Sequence, residues 1–263
     1  MGAVWGGGSE DRRAGGPSKV YGLTLVTPSG MTSGENIGMT SLLVIRHGET
    51  DWNRQHRFQG QIDVPLNPLG LEQARRLGLR LAAEPIDLMI VSDLQRARQT
   101  AQAVAEVQGQ VPLIEPLWRE QGFGILEGLD VPTIKHRHPD LWAQWLRHEA
   151  DYALPQGGES NMAFHARVMQ ALQALLAQHA GRRVAVVTHG GVLDMLWRSA
   201  MALPLGGPRT CAIPNTGINR LRWTDGRLQI DQWADDAHLA GLPPQPSTVQ
   251  ARIPAVDPDV AAQ

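Results

Sequence analysis

Three short apolar runs decide what this chain can become: "SLLVI" at 41–45, "IDLMIVS" at 86–92 and "RRVAVVT" at 182–188. None alternates apolar with polar residues, the mark of strands covered on both faces. The stretches between them are too long for hairpins and carry helical spacing, so successive strands run parallel with helices packed over the sheet. The pattern predicts an α/β protein, a three-layer α/β/α sandwich around a mainly parallel central sheet.

The intervening segments carry their own start and stop signals. In "LNPLGLEQARRLGLRLAAE", Asn67 is placed to cap a helix with Pro68 at its first position, and Leu71, Ala74, Leu77 and Leu81 share one stripe. "SDLQRARQTAQAVAEV" reads as a helix with Ser92 and Asp93 as caps, and "VPLIE" as a weak third strand. Two short helices are expected from Pro132 to about His148. A long amphipathic helix follows Ser160, its cap, and ends at Gly181. Another helix starts near Val192, and "INRLRWTDGRLQIDQW" reads as a hairpin turning at Asp225-Gly226, an antiparallel edge to the sheet. The ends differ. Residues 1–40, rich in Gly, Ser and Thr, read as a disordered extension, and Met39, just before the first strand, is an alternative start. Residues 41–240 form one catalytic domain, and 241–263, rich in Pro and Ala, a flexible tail.

Composition removes several function classes. The formal net charge of -2 gives no bulk attraction to nucleic acid or to an acidic membrane. No apolar run approaches the roughly 20 residues that span a bilayer. The single cysteine, Cys211, excludes an intrachain disulfide and fits a cytoplasmic location. The expected partner is a small molecule, with neither nucleic acid nor membrane involved.

Ligands of open α/β sheets bind beyond the carboxyl ends of the strands. The first strand ends in Arg46 and His47, the second in Ser92 with Arg96 one helical turn later, and the last parallel strand in His189, Gly190 and Gly191. Side chains at a helix start lean toward its N-terminus, so Arg96 can reach back over the sheet edge. Guanidinium forks suit phosphate oxygens, and a glycine-led helix N-terminus adds backbone N–H donors. A histidine inside such a cradle is held neutral by nearby cations and can act as a nucleophile, opening a route through phosphohistidine. The leaving oxygen then needs a general acid, and "LWREQGFGILEG" offers Glu120 and Glu127.

Taken in order, Arg46-His47-Gly48-Glu49-Thr50, Asn53 in "DWN", "RFQG", "SDLQRARQTA", "REQGFGILEG" and "VTHGGV" resemble the histidine phosphatase superfamily, the phosphoglycerate mutase-like proteins, over residues 41–235. The resemblance implies that fold and the following roles. His47 is the nucleophile. Arg46, Arg96 and His189 hold the phosphoryl oxygens. Asn53 and Gln59 add neutral contacts, with Gly60 and Gly190 completing the substrate-binding positions. Glu120 is the acid and later the base. It implies no cofactor, and no motif demands a metal. His136 and His138 have no ligand-spaced partner that would make them a metal site.

Within that family three functions are open: hydrolysis of a small phosphomonoester, a cofactor-dependent phosphoglycerate mutase, or a non-catalytic phosphate-binding module. The connection from Gly128 to Gly158 is short and lacks an adjacent arginine pair, and Phe123 stands where the mutases usually carry tyrosine. Both features favour the phosphatase. Arg98 reads as a solvated helix residue and Glu49 as a turn former. Glu159 is open between a first-turn acid and a group that orients a catalytic histidine. Trp142 and Trp145 are open between core and leaving-group pocket.

Overall fold

The computed structural model describes residues 39–246. Most of the proposed extension and of the proposed tail lies outside them; Met39 and Thr40 are described, and Thr40 is buried as the first residue of a strand rather than part of a disordered segment. In chain order the elements are β1 Thr40–Arg46, α1 Asp51–Arg54, α2 Pro68–Arg80, β2 Leu88–Val91, α3 Gln95–Gln108, β3 Leu113–Ile114, α4 Val131–Arg137, α5 Pro139–Trp145, α6 Asn161–Gln178, β4 Arg183–Thr188, α7 Gly190–Ala200, β5 Ile218–Thr224 and β6 Arg227–Asp235.

The strands form one sheet in the order β3-β2-β4-β1-β5-β6. β1, β2, β3 and β4 run parallel, and the β5–β6 hairpin adds the antiparallel edge. Alternate residues of each central strand serve opposite faces. Leu42, Val44, Val184 and Val186 pack under α6 and α7 with Phe164, Val168, Leu172, Leu193 and Leu196. Leu43, Ile45, Ala185 and Val187 pack under α2 and α3 with Leu77, Leu81, Ala101 and Val104. The three layers are those that the uninterrupted apolar runs require.

β1 leads to a helix on one face, and its neighbour β4 leads to a helix on the other. The chain therefore reverses its winding between two adjacent parallel strands, which opens a crevice beyond their carboxyl ends. Over it stands a cap with its own apolar cluster: Phe58, Phe123, Leu126, Ile134, Trp142 and Leu154.

The local signals hold with three adjustments. Asn67 accepts from the Gly70 N–H at 2.8 Å and Ser160 from the Ala163 N–H at 3.1 Å, each cap contributing about 1 kcal/mol. Ser92 and Asp93, expected as caps, do not cap α3. Leu94 occupies that position without a side-chain bond, because Ser92 pairs with His189 and Asp93 with Arg119. The free Gln95 N–H is met by Asp63 Oδ1 at 2.6 Å. Leu71 is half exposed rather than part of the buried stripe. Its turn of α2 lies over the segment after β1, where Gln73 is buried and accepts the Glu49 N–H at 2.8 Å. Finally, residues 241–246 are part of the described structure. Gln245 accepts the Asn215 N–H at 2.5 Å and donates to the Asn215 carbonyl at 3.2 Å.

Candidate active site

The β1–β4 pairing builds the centre of the site. His47 follows β1 and its N–H donates to the Thr188 carbonyl at the end of β4, 2.9 Å away. His189 follows Thr188 directly, so the two imidazoles come within 5.2 Å, centroid to centroid. The turn after His47 is held by Glu49, fully buried, which accepts from Asn67 Nδ2 at 2.8 Å. The Gly48 N–H donates to Thr100 of α3 at 2.9 Å.

His47 Nδ1 lies 2.7 Å from the Gly48 carbonyl. A carbonyl only accepts, so Nδ1 carries the hydrogen and the lone pair of the neutral ring sits on Nε2. The neutral form is strongly favoured. Burial, then the charges of Arg96 and Arg46, hold the His47 pKa well below the usual imidazole range. His189 is pushed down in the same way, by burial first and then by Arg96, His47 and Arg46. Its Nε2 sits 2.8 Å from Ser92 Oγ. With the serine hydroxyl donating, the remaining imidazole hydrogen is on Nδ1, which is buried without a partner among the described residues.

The arginines are fixed by carbonyls on one side. Arg46 donates through Nη1 to the Ile213 carbonyl at 2.7 Å. Arg96, from the first turn of α3, donates to the Gly60 and Ile62 carbonyls at 2.7 and 2.8 Å. Both Nε groups are buried without a partner among the described residues, as is the carboxamide oxygen of Gln59. Burial lowers both arginine pKa values to about 10, so both remain charged at neutral pH. Unsatisfied buried donors cost about 1–3 kcal/mol each. Several facing one cleft is what a tetrahedral anion would relieve.

Glu120 approaches from the other side. Both its carboxylate oxygens lie 3.1 Å from the Gly191 N–H, in the first turn of α7, and Oε1 also accepts from the Gln121 N–H at 2.8 Å. A Cβ at Gly191 would sit 2.2 Å from Glu120 Oε1, so any other residue there would push the carboxylate out of this position. Glu127 is otherwise engaged. Its Oε1 accepts the Gln61 and Phe123 N–H groups at 3.0 and 2.9 Å, beneath Gly60, whose φ of +50° suits glycine.

The cleft is lined by Arg46, His47, Asn53, Gln59, Gly60, Arg96, Glu120 and Gly190. Of the nine residues singled out in the sequence, eight thus line it, and the ninth, His189, packs against His47 with its ring tilted by 58°. Asn53 spends its carboxamide oxygen on the Thr50 N–H at 3.0 Å, closing a capping box for α1, which leaves its amide hydrogens to the cleft. Glu159 is settled as a structural anchor. It pairs with Arg167 and accepts the Gly122 N–H at 2.9 Å. Arg98 is exposed. Trp142 is buried in the cap and stacks on Trp145, which lines a second cavity beside the cleft.

Three residues escaped the sequence reading. Ser92 fixes His189. Arg167 donates to the carbonyls of Leu117, Arg119 and Glu120 at 2.9–3.0 Å and so holds the loop that carries the acid. Arg209, from the loop after α7, lines the cleft with a side chain that is 6% exposed. No spacing rule marks Arg167 or Arg209, and Ser92 was visible as a strand end and a candidate helix cap, not as the partner of His189.

Residues 42–236 match the model of the histidine phosphatase superfamily, branch 1. The chain belongs to this superfamily. Among its relatives, this histidine phosphatase is 35% identical to the phosphoglycerate mutase-like protein 4 of Arabidopsis thaliana over 78% of its own length and 89% of the relative's. It is 34% identical to the metal-independent phosphoserine phosphatase of the same plant, over 78% and 85%. The structure of mycobacterial glucosyl-3-phosphoglycerate phosphatase matches 74% of this histidine phosphatase and 99% of that chain, at 30% identity and a TM-score of 0.65. Among the described residues no helix is long and apolar enough to cross a membrane.

Proposed function

We propose that the protein is a metal-independent phosphomonoesterase that acts on a small phosphorylated metabolite through a phosphohistidine at His47. His47 Nε2 attacks phosphorus in line with the ester oxygen. Arg46, Arg96 and the His189 Nδ1–H take up charge on the equatorial oxygens, with Asn53 and Gln59 as neutral partners and the α7 N-terminus at Gly190 alongside. Phosphoryl transfer needs little beyond such positioning and charge neutralisation. Glu120 protonates the departing alcohol, then deprotonates the water that attacks the phosphoenzyme and releases phosphate. Each of the two steps breaks one P–O or P–N bond and forms another, and the acid returns to its starting state.

The observation that carries this reading is the Nδ1–H···O=C bond to Gly48. It commits the free lone pair of a neutral imidazole to Nε2 amid unpartnered donors. Hydrolysis rather than transfer to a second hydroxyl is supported by the short cap, here only α4 and α5, since a mutase must keep water from its phosphoenzyme. The names of two relatives, phosphoserine phosphatase and glucosyl-3-phosphoglycerate phosphatase, also support a small phosphomonoester substrate. The single cysteine, which leaves no intrachain disulfide, supports the cytoplasm.

Brief exposure to a radiolabelled phosphomonoester, followed by quenching, tests the scheme. Acid-labile, alkali-stable label should appear on the parent chain in the presence of chelator and be absent from His47→Ala. Label that persists in His47→Ala would end the proposal. Interconversion of 3- and 2-phosphoglycerate faster than phosphate release would replace the phosphatase with a mutase.

A further inference from the structure

Beyond Arg46 and Arg96 two guanidiniums line the cleft: Arg57, which donates to Gln55 and to the Gly128 carbonyl, and Arg209. A phosphomonoester dianion is matched by Arg46 and Arg96. Arg209 is a third buried guanidinium facing the same space, and it donates no hydrogen bond among the described residues. Its nearest acid is Asp194, with Oδ1 3.7 Å from Arg209 Nε. Asp194 is shared, because its other oxygen accepts from Arg198 Nε at 3.1 Å. One carboxylate thus serves two guanidiniums, and a positive charge is left over.

Arg209 is also held in place by design of the loop. Arg198, 5% exposed, donates to the carbonyls of Pro204, Gly206, Gly207 and Pro208 at 2.5–3.0 Å. Those four bonds fold the segment that ends at Arg209. The loop delivers the guanidinium to the neighbourhood of Arg46. A Cβ on Gly190 would lie 3.5 Å from Arg46 Nε and 3.6 Å from Arg209 Nη1, so both guanidiniums stand beside the α7 N-terminus. Their mutual repulsion contributes to the lowered Arg46 pKa.

A second cavity adjoins the cleft here. Phe123 and Arg209 line both the cleft and the second cavity, which continues past Trp145 and Tyr152. Glu120, which would protonate the ester oxygen, stands at the same junction. The two cavities thus meet at Phe123 and Arg209, on the path open to an alcohol that leaves phosphorus as His47 attacks.

We propose that Arg209 is a specificity-determining residue that binds an anionic substituent on the leaving group, so that the preferred substrates are phosphomonoesters of small hydroxy acids. The site selects a carboxylate a few bonds from the ester oxygen, held by the Arg209 fork, while Arg46, Arg96 and His189 hold the phosphoryl group. This rests on the phosphatase reading of the same cleft.

3-Phosphoglycerate and glycerol 3-phosphate differ at one carbon, carboxylate against hydroxymethyl, and so isolate the interaction. The parent chain should favour 3-phosphoglycerate in kcat/KM by about tenfold or more, the effect of one ion pair shielded from water. In Arg209→Gln that ratio should fall to near one, chiefly through KM for 3-phosphoglycerate, and Arg209→Lys should restore part of it. An unchanged ratio in Arg209→Gln overturns the inference, as does equal loss on both substrates, which would assign Arg209 to the phosphoryl group. Calorimetric binding of the two compounds to His47→Ala, with and without Arg209→Gln, separates the two proposals. A binding preference that vanishes with Arg209 upholds the subsite even if the parent chain hydrolyses neither compound. Hydrolysis with no such preference upholds the phosphatase and removes the subsite.

Discussion

Replacing Arg96 should damage the protein twice, and the two injuries can be measured apart. Its guanidinium is fully buried, and two of its nitrogens hold the carbonyls of Gly60 and Ile62 at 2.7 and 2.8 Å. Its Nε is buried without a partner among the described residues, and the side chain lines the cleft. Removing a donor to the reacting group costs about 3–4 kcal/mol of barrier, several hundredfold in rate. Removing the other contacts leaves two carbonyls that each lose a buried partner, at about 1–3 kcal/mol apiece. Water entering the space vacated by Arg96→Ala recovers part of this, so a loss of about 2 kcal/mol is expected, a shift of roughly 1 M in the urea midpoint. The loss in stability arises because the Gly60–Ile62 loop hangs from Arg96. Arg96→Lys keeps the charge but cannot span both carbonyls and the anion, and should fall between the two. Turnover of an aryl phosphate and urea unfolding of the same preparations provide the numbers. Turnover of Arg96→Ala within about tenfold of the parent would refute the placement of Arg96 at the phosphoryl oxygens. A full catalytic loss with an unmoved urea midpoint would refute its loop-holding role.

Glu120→Gln should lose more than about a hundredfold on an alkyl phosphate, whose alcohol needs a proton to leave. With dinitrophenyl phosphate, whose leaving group needs none, it should release one equivalent in a burst and then stall, because the attacking water lacks a base; steady release without a burst would contradict the double role. The buried histidines make stability depend on pH. His47 and His189 stay neutral in the folded chain well below pH 6.5, where the unfolded chain takes up protons. The unfolded state then binds more protons, and stability falls as pH drops below 6.5, by up to about 1.4 kcal/mol per pH unit for each imidazole. The urea midpoint should decline from pH 7.5 to 5.5 and decline less in His189→Asn; a flat midpoint would mean that these rings protonate in place.

What could be read from the sequence followed from short-range rules. Strand ends placed Arg46, His47 and His189, and one helical turn placed Arg96 beside them. Asn67, Pro68, Ser160 and the Asp225-Gly226 turn announce themselves through local backbone chemistry. The residues that escaped act over distance. Arg209 sits 163 positions after Arg46 in a loop rich in Gly and Pro, and its place depends on the carbonyls that Arg198 gathers. Arg167 lies on a helix face where an arginine is ordinarily solvated. Ser92 and Asp93 satisfied a capping rule, but stronger partners, His189 and Arg119, were available only in three dimensions.

The cap packs around its own cluster, from Phe58 to Leu154, apart from the apolar layers on either side of the sheet. Substitutions around Trp142, Trp145 and Tyr152 can therefore remodel the outer chamber with little strain passed to the strands that present the histidines. Such a division lets a lineage trade one alcohol for another by drifting in a peripheral module, while the machinery that breaks the P–O bond stays under separate, stricter constraint.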